Sequence, residues 1–103
     1  MSEFPSRDEF YKQLNTKFRA EINAEQTVEM ELTDVSELRQ QTRYEAFSLV
    51  FIAPNDFPPE QMLYKMQHDT LGEMELMLVP FDRDEKGLHF EALFNQPIKA
   101  AGG

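Results

Sequence analysis

The chain has no cysteine and no tryptophan among its 103 residues, and only four glycines, two of them at the C-terminal end. Without cysteine there is no disulfide framework, no thiolate zinc site and no thiol nucleophile, which is the expectation for a reducing cytoplasm. With so little glycine, a backbone cradle for phosphate is implausible, and no Gly-x-Ser-x-Gly elbow occurs. Long apolar runs are missing too. The longest, residues 46–54, is strand-sized and far short of the ~18 residues of a membrane span. The first ten residues, MSEFPSRDEF, lack a basic segment followed by an apolar run, so no secretory signal is expected.

Positive charge is also scarce. Ten Lys and Arg stand against nineteen Asp and Glu, a net charge of −9. The bases are scattered, whereas a phosphate backbone must be met by clustered Lys and Arg. Neither nucleic acid nor an anionic membrane is therefore an expected partner. The acidity serves solubility, or it attracts a basic partner.

What is present is a hydrophobic fraction of 41%, including nine Phe and three Tyr. That is enough for one modest core, and one domain over residues 1–96 is expected, with a flexible tail at 97–103. Ser6 followed by Arg7-Asp8-Glu9 is a capping box. Phe10 and Leu14 then share a face, giving a short helix over about residues 6–15.

From Thr16 the period changes to two. Phe18, Ala20 and Ile22 alternate with charged residues, and after a turn Val28, Met30 and Leu32 do the same. Residues 36–42 are polar and read as a loop. Phe47, Leu49 and Phe51 lie on one face of a central strand whose other face is also fairly apolar. The proline-rich stretch after Ala53 ends it. Met62, Tyr64, Met66 and His68 alternate next, before the turn Asp69-Thr70-Leu71-Gly72.

Residues 72–95 form the clearest unit, two strands around DRDEKG. Pairing residues whose numbers sum to 170 places Met74, Leu76, Leu78 and Pro80 with Phe90, Ala92 and Phe94 on one face. A slip of one residue would mix the wet and dry sets. Pro80 marks a bulge or an edge. Met77, Val79, Phe81 and Leu93 are left on the outer face, where either the N-terminal helix with Phe4, Phe10 and Leu14, or another subunit, must cover them. The fold class that follows is mainly β: a small six-stranded antiparallel meander closing as a barrel or sandwich, with one short N-terminal helix.

Chemistry is harder to find. His68 beside Asp69 could be an oriented general base, but the inward position suits a structural imidazole bonded to backbone. His89 near Glu91 lacks a third ligand for a metal, its cross-strand neighbours being Phe81 and Val79 under that register, and a solvated face is expected. The carboxylate pairs Glu29/Glu31 and Glu73/Glu75 sit on outward faces, where nothing separates their pKa values. DRDEKG carries acids like a calcium loop but has neither its length nor its terminal Glu, so it reads as a charged turn with Arg83 in screened surface pairs. Gly102-Gly103 looks like a ubiquitin-type conjugation tail, though the element order does not match that fold. Six short strands fill a barrel with their own side chains, so core packing is favoured over a ligand cavity. No enzyme activity, cofactor or metal is expected.

Between residues 47 and 95 the chain resembles a family of small bacterial proteins of uncharacterised function. The residues that carry the likeness are FSLVF at 47–51, Pro54, Tyr64, His68, Leu71-Gly72, LMLVPFDRD at 76–84, Gly87 and EALFN at 91–95. The chain departs from that pattern at Ala53 and Leu63, where glycine is usual. The resemblance implies an accessory or assembly role, because members are often encoded beside phage-tail-collar-like proteins; it implies no catalytic residues. The reading that follows is a cytoplasmic, non-catalytic interaction module that binds a protein partner or itself through Met77, Val79, Phe81 and Leu93. A small-ligand-binding barrel, or an enzyme using His68 and Asp69, is the alternative.

Overall fold

The computed structural model describes residues 5–40, 42–57 and 59–97. The capping box forms as the sequence requires: Ser6 Oγ accepts from the Glu9 amide at 3.2 Å, and Glu9 Oε1 accepts from the Ser6 amide at 2.8 Å. The helix α1 is shorter than expected, Arg7–Tyr11. Bonds from Gln13 to Phe10 and from Leu14 to Tyr11 tighten it, and Asn15 at φ 68° ends it. The Asn15 amide already bonds Leu32 O at 2.7 Å, so sheet pairing takes over there.

Among the described residues seven strands follow: β1 (Lys17–Asn23), β2 (Gln26–Val35), β3 (Arg39–Gln40), β4 (Tyr44–Ala53), β5 (Met62–His68), β6 (Gly72–Asp84) and β7 (Gly87–Pro97). β7 reaches one residue into the stretch read as a tail; residues 98–103, like Phe4, lie outside the described residues. All pairings are antiparallel, in the order β2-β1-β5-β6-β7-β4-β3, and a β2–β4 pairing closes six strands into a barrel. The expected antiparallel barrel therefore stands, but its strand order is not one continuous meander. Two three-stranded meanders, β1-β2-β4 and β5-β6-β7, are joined so that β5 returns beside β1, the Greek-key order. Closure pairs most of the strand edges with a neighbour, and β3 lies at an edge of the sheet.

β3 sits where a loop was expected. Beyond residues 49–52, where β2 pairs with it, β4 still presents backbone groups near its start. Arg39–Gln40 takes up Ala46 and Glu45, and Ser36 exchanges bonds with Ser48 through its amide and its hydroxyl. A bulge between Leu32 and Asp34 turns Val35 inward, so Leu32 and Val35 are both buried although they are three apart.

The interior is aromatic from end to end. Phe10 is fully buried, 6.4 Å from Phe18, 6.1 Å from Phe47 and 5.4 Å from Phe94, ring to ring. Helix α1 thus plugs one mouth of the barrel and does not cover the outer face of β6–β7. Arg7 Nε secures it by donating to Ser36 O at 2.9 Å. Phe57, on the connection between β4 and β5, fills the other mouth, 5.7 Å from Phe90 and 6.1 Å from Tyr64.

The charged turn is more than a turn. Arg83 donates to Asn55 O at 2.7 Å and Phe57 O at 3.2 Å, and Asn55 Nδ2 donates to Asp84 O at 2.8 Å. The Arg83 fork therefore clamps the crossing connection and seats Phe57, a role in place of the screened surface pairs expected of it. Planar multi-donor geometry suits Arg for this.

Candidate functional site

The hairpin register of 170 holds at Val79↔Glu91 and Pro80↔Phe90, and the bulge that Pro80 foretold follows at once. Past Phe81 the sum becomes 171, which brings Asp82 and not Phe81 opposite His89. The ladder is also shorter than a full hairpin. β6 pairs with β7 over Val79–Asp84, while its first half pairs with β5 from Gly72 to Leu78; β7 from Ala92 onward is paired with β4. The two strands part there around a recess of about 200 Å³ lined by Leu76, Met77, Ala92 and Leu93.

Either side of that seam the outer face is apolar. Met77 is 49% exposed, Phe81 56% and Leu93 74%, with Val79 at 37%. Leu63, which the sequence reading did not include, lies opposite Met77 and is 50% exposed. Its signal was the register of β5 against β6, not anything in its own neighbourhood. Glu73, Glu75 and Glu91 border this row, and Lys65 stands across from Glu75.

His68 is elsewhere, buried within the barrel wall with its ring 4.3 Å from that of Phe18. Its Nδ1 accepts from the amides of Thr70 and Leu71 at 3.0 and 3.1 Å. Nε2 must then carry the hydrogen and donate to Thr16 Oγ1 at 2.9 Å, and Thr16 donates on to Gln13 O at 2.7 Å. Both ring nitrogens are thus engaged in tying the β5–β6 turn to the α1–β1 connection. Asp69 does not orient the ring; its carboxylate holds Arg19 at 3.0 Å.

Burial pushes the His68 pKa below its ordinary 6.5; Asp69 pulls the other way and Arg19 adds to the depression. A folded value below the unfolded one means the unfolded chain takes the proton first. The His68 contribution is complete above pH 6.5 and is lost as pH falls through the folded value. Urea midpoints measured from about pH 7 down to about pH 5 should decline more steeply for the native chain than for His68→Asn, whose amide oxygen can still accept from the Thr70 amide but does not titrate. Parallel declines would show that His68 is not the group responsible.

His89 is not on a solvated face. Its side chain is 15% exposed, with Nε2 3.0 Å from Asp84 Oδ2. This carboxylate is the close neighbour of the buried Nε2, which has no well-aligned hydrogen-bond partner. That contact, with the Lys86 amide bonding Oδ1 at 2.8 Å, holds the Asp84 carboxyl below the usual carboxylate range. The pair borders a recess of about 630 Å³ with Asn15, Glu31, Thr33 and Lys86. Among the described residues, no three His, Cys, Asp or Glu side chains converge as metal ligands. Nor, among them, is any helix long and apolar enough to cross a membrane.

Fold and site together define a class: a small Greek-key barrel, plugged at both mouths, with an apolar outer face. The chain belongs to the family described as "Domain of unknown function (DUF6916)", whose model matches residues 5–94. The match takes in the helix and first strands as well as the half that carried the resemblance. No curated protein and no solved structure matches the chain.

Proposed function

We propose that this domain is a non-catalytic protein-interaction or assembly module that works through the outer face of β5, β6 and β7. One observation carries the reading: Leu63, Met77, Val79, Phe81 and Leu93 are exposed on one outer face, with Leu63 opposite Met77 in register and Leu93 beside Met77 at the recess. Contiguous apolar surface of this kind marks interaction sites. Two further features favour it over the alternatives. Fully buried Phe10, Phe18, Phe51 and Phe90 occupy the barrel's interior, which a ligand would need. His68 has both nitrogens committed to the fold, which leaves neither to take a substrate proton.

The resemblance to bacterial proteins encoded beside phage-tail-collar-like proteins makes an accessory role in such assemblies, in the cytoplasm, the fitting setting. The test is a binding measurement between the purified chain and the purified products of its neighbouring genes, with light scattering of the chain alone. Binding or self-association should be lost in Met77→Asp/Leu93→Asp with no change in melting temperature, since both side chains are outside the core. A monomer that binds none of these products, or binding that survives the double variant, sinks the proposal.

A further inference from the structure

The partner of the β5–β7 face can be given a chemistry, on the reading just proposed that this face is an interface. The apolar row does not stand in a neutral surround. Glu73 and Glu75 precede Met77 on the same face of β6, Glu91 lies opposite Val79, and the base Lys65 lies across from Glu75. Beyond the face, the whole chain carries −9.

A second copy of the chain is poorly suited to this surface. A two-fold contact buries the same patch on both sides, so each copy's acidic border meets a surface that brings acids of its own and no cluster of bases to neutralise it. Like charges set against one another across a desolvating interface are strongly disfavoured, and the net charges of two copies repel at longer range as well. A partner with an apolar centre and a Lys- or Arg-rich border meets both requirements: it covers the row and neutralises Glu73, Glu75 and Glu91. We infer that this face takes a basic protein surface in a heterotypic contact, and that the chain alone is a monomer.

Two synthetic probes of equal length test this, one alternating Val with Lys and one alternating Val with Glu, titrated into the isotope-labelled full chain and followed by amide shifts. Light scattering of the chain alone accompanies them. The Lys probe should shift amides of β5, β6 and β7 around Met77 and Leu93, and the chain should stay monomeric at low and high salt. Binding should weaken several-fold as salt rises above ~0.15 M, where screening acts within about 8 Å. Glu73→Gln/Glu75→Gln/Glu91→Gln should weaken it by a similar factor, with an unchanged melting temperature. A dimer formed through this face, equal binding of the Glu probe, or binding indifferent to salt overturns the basic-partner inference and leaves the interface reading standing. A monomer on which neither probe shifts this face overturns both.

Discussion

Gly87→Ala is expected to cost about 3–5 kcal/mol, a large share of the ~5–15 kcal/mol that holds a domain together. Gly87 has φ 141°, a conformation that side-chain-bearing residues rarely adopt. A Cβ built there would overlap the carbonyl oxygen of Ala53 and approach Ile52 Cγ2 to 2.9 Å. The carbonyl cannot retreat, because Ala53 pairs with Leu88 at the start of a ladder that runs along all of β4. Gly72 is the internal comparison. It also has positive φ, at 84°, but a Cβ there meets nothing within 4 Å. Gly72→Ala should therefore cost only the backbone term, about 1–2 kcal/mol. Urea denaturation of both variants checks this, and equal losses would mean that the Ala53 contact relaxes freely.

The second large effect is Phe10→Ala, about 3–5 kcal/mol by the usual cost of truncating a buried aromatic. The five residues of α1 cannot be stable alone, so the helix exists because Phe10 reaches Phe18, Phe47 and Phe94 inside the barrel. Truncation opens the mouth and frees the helix together. Tyr11, one residue on, is 51% exposed and lies against the Arg7 guanidinium at 4.6 Å. Tyr11→Ala should lose no more than ~1 kcal/mol. A small Phe10→Ala effect, or helix amides that stay protected from exchange in it, would show that the plug is not what anchors α1.

Much of this was legible in the residues. Period-two alternation set the inward faces of β1, β4, β5 and β7, because one face of each strand is buried and the pleat has no other period. Ser6 and Glu9 announced the helix start, and Pro80 announced the bulge. What escaped the reading shares one cause. Arg83 finding Asn55 and Phe57, His89 meeting Asp84, and Leu63 joining Met77 all depend on which segments lie side by side. Local patterning does not record that. The destination of the helix was missed for the same reason: its apolar face could serve an outer patch or an open mouth equally well.

The same division runs through the candidate interface. Alternation by itself puts Met77, Val79, Phe81 and Leu93 on the face opposite the core, since side chains two apart on a strand must share a side. Whether that face is covered is decided only by closure of the barrel. Once β2 meets β4 and β5 returns beside β1, the open mouth buries more of Phe10 than the flat outer wall could, and the helix goes there. The sequence therefore determined which side chains face outward, and the tertiary structure decided that they stay exposed.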